Sequence, residues 1–441
     1  MIPLIMECAI KQLVNKIYIL SRVITVNIKK SREGYWNFSW AFFGNAIYAI
    51  SQWLIMVFFT KIGDSNMLGQ FSLGLAISSP IYMLTNLQLQ PIFVTDKTYS
   101  YSFNDYLKMR GLSTITALLI IFILAISSGY KDYTLVTIFI ISIVKAIDSI
   151  SDLIYGLFIK NFKMKFMSIS LILKGALSII LISLGLLYSK NIILIVSMLL
   201  ISSLIVLVIY DIPRIKYFEE LSKNKNKKNY FSLIKLGVPM GIGMLLISLN
   251  TNIPKYFIEK YLGIETLGYF SAISYIMVAG SMVINAIGQS TSPRLSEFCV
   301  NKNYIDFKKL INKLLFFGFL IGFIGLITVM IFGRDILEIM YNNEYKKYYF
   351  LFILLMVNGL VGYLASLFGF AMTSARIFNS QPVLFGIVIL ITTSFCFFLV
   401  NRWDIYGIAV SMIIGTSVQL LGSSLIIYSV LRKLKKNVQT N

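Results

Sequence analysis

The sequence contains no histidine and only three cysteines in 441 residues. Cys8, Cys299 and Cys396 lie far apart, so the pattern indicates no metal site, no disulfide framework and no Cys/His nucleophile. Acidic residues are also few, with 19 Asp and Glu against 40 Lys and Arg. We therefore expect no metal and no cofactor, and the residue types of common catalytic centres are scarce.

Long apolar runs make up most of what is present. Hydrophobic residues are 57% of the chain and charged residues 13%, about half the charged fraction of an average soluble domain. The runs are continuous rather than alternating, which is typical of helices, and about 20 apolar residues cross a bilayer core. We predict an all-α integral membrane protein with twelve spans at 36–60, 68–91, 108–128, 133–158, 167–188, 191–212, 233–258, 265–290, 311–333, 348–374, 379–400 and 406–430.

The basic residues indicate how these spans are oriented. Lys and Arg are enriched in short cytoplasmic loops, and most of the 40 fall on the side that holds both termini. Both termini are therefore expected in the cytoplasm. Topology and anionic lipid headgroups account for the net charge of +21 without a nucleic acid partner. Residues 1–34 do not read as a signal peptide, and they form either an amphipathic cytoplasmic helix or a stretch before the true start.

Two pentapeptides are nearly identical. LGQFS at 68–72 and LGYFS at 267–271 are 199 residues apart. Because both precede long apolar runs at corresponding places, they predict a duplicated six-helix unit. Other residues match at or near the same offset: Lys61 and Lys260, Gln90 and Gln289, Asp105 and Asp306, Lys108 and Lys309.

A duplicated six-helix unit gives two lobes of the same orientation, because six spans return the chain to its starting side. Gly69 and Gly268 are expected to let their helices pack closely, and Phe71 and Phe270 to anchor at the membrane interface. Two lobes around a cleft suit alternating access, so the repeat predicts a transporter. The predicted units are a cytoplasmic N-terminal extension (1–35), an N-lobe (36–212), a basic linker (213–232), a C-lobe (233–430) and a basic tail (431–441).

Polar residues inside the spans are costly and therefore point to a substrate pathway. They are enriched in spans 1, 2, 7 and 8, and the candidates are Asn45, Gln52, Asn86, Gln88, Asn250, Asn252, Lys255, Tyr275, Asn285, Gln289 and Arg294.

Span 7 is the most irregular of the four. Pro239 and Pro254 remove backbone donors and are expected to kink it, so its asparagines either restore hydrogen bonds or face a cavity. Lys255 either snorkels to the outer interface or enters the cleft. Arg294 either holds a phosphate at the cytoplasmic mouth or follows the general bias of basic residues.

Span 4 carries charges on one face, because Lys145, Asp148 and Asp152 fall at i, i+3 and i+7. Two interpretations are open. Neighbouring carboxylates suit a proton or sodium site. Alternatively, Asp152 and Lys174 of span 5 lie at a similar depth of roughly 12 Å and pair, while Lys145 neutralises Asp148, which gives a structural salt-bridge network of zero net charge.

Three stretches resemble a known family: YSFNDYLKMRGLSTITALL, KAIDSISDLIYGLFIKNFKMKFMSISLILKG and LISLNTNIPKYFIEKYLGIETLGYFSAISY. They resemble bacterial polysaccharide flippases of the Wzx type, which carry O-antigen and capsule units. These flippases belong to the multidrug/oligosaccharidyl-lipid/polysaccharide superfamily, together with MATE exporters and lipid II flippases. The similarity covers most of the chain after residue 36, and its loose motifs specify the family better than the substrate.

The resemblance implies a V-shaped, MATE-like pair of six-helix lobes, with spans 1, 2, 7 and 8 lining a central cavity. It also implies transfer of an undecaprenyl-pyrophosphate-linked oligosaccharide from the cytoplasmic to the periplasmic leaflet of the bacterial inner membrane. A coupling proton or sodium ion, a polysaccharide polymerase and a chain-length regulator are the further partners that such a flippase implies.

Other functions remain open at this point. A cation-coupled MATE-type drug exporter shares the architecture, but it would be expected to bury a carboxylate in the cleft-lining spans, where the sequence has no obvious one. A membrane glycosyltransferase or polymerase would need a large extramembrane loop, and the longest loop here is near 213–232, so the protein is not expected to be an enzyme. A membrane scaffold would tolerate apolar replacements in spans 7 and 8.

Overall fold

The computed structural model describes residues 36–37, 39–96, 101–221, 230–377 and 380–439. The predicted N-terminal extension and residues 222–229 of the predicted linker lie outside this part of the chain. Within it, 11 helices are long and apolar enough to cross a membrane. The last one contains non-helical backbone at Trp403 and Asp404, close to the predicted gap between spans 11 and 12, so it supplies two spans. The fold is thus all-helical with twelve spans.

The first half of the chain supplies six spans. Span 1 is α1 (Ser39–Lys61), and span 2 consists of α2 (Ser65–Thr85) and the short α3 (Leu89–Thr95). Spans 3 to 5 are α4 (Phe103–Ser127), α5 (Asp132–Lys160) and α6 (Met164–Tyr188). Span 6 begins as α7 (Ile192–Ile205) and continues through a π-helical segment (Val206–Asp211) and α8 (Ile212–Ile215) into a 3₁₀ turn (Lys216–Leu221).

The second half has longer helices. They are α9 (Tyr230–Leu262), α10 (Ile264–Val300), α11 (Tyr304–Met340), a 3₁₀ turn (Asn343–Tyr348), α12 (Tyr349–Ser374) and α13 (Ser380–Gln439). Several of them extend beyond the predicted apolar limits, because hydropathy marks the membrane-embedded part of a helix and not its solvated ends. The described parts of the predicted linker and tail are also helical.

The repeat is visible in local structure as well as in sequence. In the first half Asp105 accepts a hydrogen bond from the backbone N–H of Ser102, which caps the start of α4. In the second half Asn303 caps the start of α11 by accepting from the N–H of Asp306 at 3.2 Å. Each aspartate is the third residue after its cap, where it also complements the positive end of the helix dipole.

The glycines of the two pentapeptides meet across the lobes. A Cβ atom on Gly69 would overlap the carbonyl oxygen of Ile264, and one on Gly268 would overlap the carbonyl oxygen of Ser65. Ser65 and Ile264 are themselves related by the repeat offset, so the two contacts are equivalent. We call this end of the molecule, where the α1–α2 and α9–α10 turns lie, the sealed end, and the opposite end the basic end.

The predicted interfacial role of Phe71 and Phe270 is wrong. Both side chains are buried, at 2% and 1% exposure. Phe71 stacks on Phe59 with ring centroids 5.1 Å apart. The close approach of α2 and α10 turns these aromatic rings into the core of the sealed end instead of toward the lipid headgroups.

The break in backbone regularity lies in span 2 rather than in span 7. α9 continues through both Pro239 and Pro254, whereas Leu87 and Gln88 adopt left-handed conformations with φ of 50° between α2 and α3. The segment Gly237–Gly241 of α9 has a small-residue GxxxG spacing, and Cβ atoms at these two positions would overlap carbonyl oxygens near this break, those of Leu87 and Leu84. Glycine therefore brings α9 against span 2.

Candidate transport pathway

A cavity of about 660 Å³ lies mainly within the C-lobe. Its walls come from α9, α10, α12 and α13, and Met56, Ser72 and Leu75 close it from the N-lobe. It extends from Phe270 near the sealed end to Gln381, the second residue of α13, at the basic end. A cavity of this volume is large enough for a small-molecule headgroup.

Lys255 is the cationic residue among those that line this cavity. It lies seven residues before the end of α9, about 10 Å along the helix axis. Its ammonium donates to the amide oxygen of Asn252 at 3.2 Å, and no described carboxylate lies within ion-pair distance of it. Of the two alternatives for Lys255, the structure therefore places it at the cavity, and its charge has no counter-ion among the described residues.

Three other predicted pathway residues, Asn250, Tyr275 and Asn285, also line the cavity. Asn252 does not; it is buried behind the wall, donates to the carbonyl of Ser248 at 2.9 Å and accepts from Lys255. It therefore positions the ammonium instead of lining the space.

The remaining pathway candidates lie elsewhere. Asn45 is exposed on α1 and donates to the carbonyl of Ala41, and Gln52 is partly exposed on the same helix. Asn86 and Gln88 belong to the break in span 2. Gln289 and Arg294 are exposed on the basic-end half of α10 and do not line the cavity.

Spans 10 to 12 supply cavity residues that the sequence reasoning missed. Asn358 accepts a hydrogen bond from Thr416 at 3.0 Å, joining α12 to α13. Gln419 lines the same space. The sequence does indicate both residues, because each is polar and lies within a predicted span. Their spans are not among the four (1, 2, 7 and 8) in which polar residues are enriched.

The N-lobe contains a cluster of paired charges. The Lys174 ammonium lies 2.9 Å from Asp148, and the Arg110 guanidinium lies 3.5 Å from Asp152. The predicted pairing of Asp152 with Lys174 is therefore wrong, because Lys174 is taken by Asp148 one turn earlier on α5. Lys145 lies one further turn toward the sealed end and is partly exposed, without an ion pair to a described carboxylate.

Arg110 also forms hydrogen bonds in addition to its ion pair with Asp152. Its guanidinium also donates to the carbonyl of Asn86 at 3.2 Å and to Ser149 at 3.3 Å. The same carbonyl accepts from the backbone N–H of Leu89, the first residue of α3, at 3.0 Å, so Arg110 adds a second donor from another helix at this break. Arg110 thus ties the break in span 2 to the charge cluster, a contact that its place near the start of predicted span 3 does not reveal.

Comparisons with known proteins agree with this architecture. Residues 36–299 match the family described as "Polysaccharide biosynthesis protein". The chain is 29% identical over 390 residues to the capsular polysaccharide biosynthesis protein CapF of Staphylococcus aureus, covering 87% of this chain and 97% of that protein.

Solved structures show the fold. A multidrug resistance MATE family transporter of the MOP superfamily in its inward-facing conformation has a TM-score of 0.72 at 13% identity, covering 90% of this chain and 99% of that one. A multidrug resistance MATE family transporter in its outward-facing conformation has a TM-score of 0.63 at 14% identity, covering 90% of this chain and 95% of that one. The chain is a multi-pass membrane protein with a MATE-like fold. It belongs to the polysaccharide biosynthesis protein family.

Proposed function

We propose that this protein is a flippase that moves an undecaprenyl-pyrophosphate-linked oligosaccharide from the cytoplasmic to the periplasmic leaflet of the bacterial inner membrane. The observation that carries the proposal is the ammonium of Lys255, which has no carboxylate partner among the described residues and faces a cavity lined with amides and hydroxyls. Burying a cation is costly unless an opposite charge accompanies it. An anionic headgroup supplies that charge.

The other cavity groups suit a sugar. Asn250, Asn285, Asn358 and Tyr275 offer neutral donors and acceptors that bind hydroxyl groups without a charge. A single lysine ammonium attracts a pyrophosphate but binds it less tightly than a cluster of bidentate arginines does. Weaker binding allows release on the other side of the membrane. The prenyl chain stays in the bilayer beside the lobes.

The conformation of the protein is the one expected at the start of such a transport cycle, before the substrate is released to the periplasm. The basic end corresponds to the cytoplasm by the distribution of Lys and Arg, which places the sealed end at the periplasm. There the paired glycine contacts hold α2 against α10, and the inward-facing transporter gives the higher TM-score of the two conformations compared. Release of the substrate to the periplasm then requires these contacts to separate. A polymerase and a chain-length regulator are the proposed partners that take over the released unit.

The test is translocation of a fluorescent undecaprenyl-pyrophosphate oligosaccharide in proteoliposomes. Wild type should move the lipid between leaflets, Lys255→Met should lose at least about tenfold in rate because charge-assisted hydrogen bonds contribute about 1.5–3 kcal/mol, and Lys255→Arg should keep most of it. Lys313→Met, at an exposed position of α11, is the matched control.

Equal transport by wild type and Lys255→Met would remove the cavity from the pathway. Drug efflux by wild type without any lipid transfer would favour an exporter instead.

A further inference from the structure

Asp211 is a buried carboxylate of the N-lobe that does not take part in the ion pairs described above. It ends the π-helical segment of span 6, and its exposure is 0%. One of its oxygens accepts a hydrogen bond from Ser151 at 2.9 Å, while Oδ1 has no hydrogen-bond partner among the described residues. No described lysine or arginine lies within ion-pair distance of it.

The surroundings of Asp211 disfavour its ionised form. Tyr155 faces it from α5, Lys174 and the Ser170 hydroxyl face it from α6, Tyr210 precedes it in span 6, and α7 contributes no titratable side chain. Lys174 is already bound to Asp148. Arg214 on its own helix donates instead to the carbonyl of Tyr210 at 2.8 Å. A buried carboxylate without its own cation is stabilised by taking up a proton, which also removes the unsatisfied charge on Oδ1.

A continuous set of polar contacts links Asp211 to the partly exposed Asp148. Ser151 donates to Asp211 and accepts from Lys174 at 3.3 Å, and Lys174 donates to Asp148 at 2.9 Å. The Asp148 side chain is 25% exposed, so it is the most exposed of these four residues.

We propose that Asp211 is a proton-binding site of the transport cycle, loaded and emptied through Ser151, Lys174 and Asp148; this rests on the proposed transport function. A proton that arrives on Asp148 replaces the one that Lys174 passes to the Ser151 oxygen, while Ser151 gives its own proton to Asp211. Asp148, Lys174 and Ser151 end as they began, and Asp211 has gained one proton. π-Helical segments recur at functional sites because they place one residue out of the regular ladder.

A proton fits this site better than a sodium ion. The oxygens near Asp211 are serine and tyrosine hydroxyls, and the Lys174 ammonium is 3.3 Å from Ser151. A metal cation there would meet that positive charge at short range. In the described residues no group of three or more acidic, His or Cys side chains is arranged to hold a metal ion.

Infrared difference spectra of the full chain in lipid nanodiscs, recorded on a step in pH, test the site without any transport. Wild type and Asp335→Asn, an exposed control on α11, should show a band of a protonated carboxyl group that Asp211→Asn lacks. If Asp211→Asn does not fold, Ser151→Ala should shift the band because the donor to Asp211 is gone. A band unchanged in the variant that folds overturns the proposal.

Transport in proteoliposomes tests the role in the cycle. A pH gradient should accelerate lipid translocation by wild type and by the exposed control Asp335→Asn, and it should have no effect on the rate of Asp211→Asn. Equal acceleration of wild type and Asp211→Asn, or acceleration by a sodium gradient that Asp211→Asn abolishes, contradicts proton binding at Asp211. Absence of translocation by wild type in every condition refutes the flippase, while the infrared result still decides whether Asp211 binds a proton.

Discussion

The two lobes come from one duplicated unit, yet they treat charge in opposite ways. In the N-lobe the buried cations Lys174 and Arg110 are bound to Asp148 and Asp152. In the C-lobe Lys255 lies at a cavity of about 660 Å³ without a described carboxylate partner. The difference shows where a ligand is expected, because a charge that the protein neutralises serves the fold and a charge that it leaves open is available to a substrate.

The strongest test of this difference is the loss of a cation in each lobe. Lys174→Met should lower the free energy of unfolding by up to about 3 kcal/mol, the low end for breaking a buried ion pair, because it leaves the partly buried Asp148 without its partner. Lys255→Met should cost little or raise the stability, since it removes a desolvated charge that forms no ion pair with any described carboxylate. Unfolding in mixed micelles measures both, and the double variant Lys174→Met/Asp148→Asn should recover part of the loss. Equal losses at the two lysines would end the distinction between the lobes.

The contact that joins the lobes at the sealed end should be the next most sensitive. Gly69→Leu places side-chain atoms where the Ile264 carbonyl lies, and overpacking of this kind costs about 1–3 kcal/mol. The cost falls on the sealed state, so the population should shift away from it. Gly111→Leu is the control, because a Cβ there meets no atom within 4 Å.

Cross-linking between the two lobes measures this shift in the population of the sealed state. Asn342 donates to the carbonyl of Thr60 across the lobes, so cysteines at these two positions, in a chain whose three native cysteines are replaced, should be joined by a short cross-linker. Gly69→Leu should slow the reaction and Gly111→Leu should not. An unchanged rate in Gly69→Leu would mean that the glycine contacts do not hold the lobes together.

The sequence predicts the fold well because the fold depends on patterns that lie along the chain. Apolar runs give the spans, and the repeated LG-x-FS gives the duplication and the close approach at Gly69 and Gly268. The position of the backbone break was harder to predict from the sequence. Proline suggested span 7, but α9 accommodates both prolines, and the left-handed Leu87 and Gln88 are stabilised by Arg110 from another helix.

The site was predicted only in part, because it too depends on contacts between different helices. Helical periodicity places Asp148 and Asp152 on one face of α5, but it does not say which cation from α4 or α6 reaches which carboxylate. That choice depends on helix rotation and packing. Asn250, Lys255, Tyr275 and Asn285 meet at one cavity because their helices do. Asn358 and Gln419 are recognisable in the sequence as polar residues within spans, but only the tertiary structure brings them to the same cavity.

A third experiment gives the C-lobe the pairing found in the N-lobe. Asn252→Asp would place a carboxylate where the Lys255 ammonium already finds its acceptor at 3.2 Å. The new pair should neutralise Lys255 and lower affinity for the lipid-linked pyrophosphate about tenfold, equivalent to 1.4 kcal/mol. Binding in nanodiscs measures this, and Asn252→Ala, which adds no charge, is the control. If affinity is unchanged in Asn252→Asp, the charge of Lys255 does not contribute to binding.

The smallest expected effect concerns a single hydrogen bond between the lobes. Tyr130, in the α4–α5 turn of the N-lobe, donates to Glu259 of α9 at 3.0 Å. Burial and the nearby Glu259 carboxylate raise the pKa of Tyr130, so its hydroxyl keeps the proton it donates at neutral pH. Tyr130→Phe should weaken the sealed state by about 0.5–1.5 kcal/mol, seen as a modest slowing of the cross-link between positions 60 and 342. Tyr133→Phe, at an exposed position on α5, should leave the rate unchanged, and an equal rate in both variants would restrict the seal to the glycine contacts.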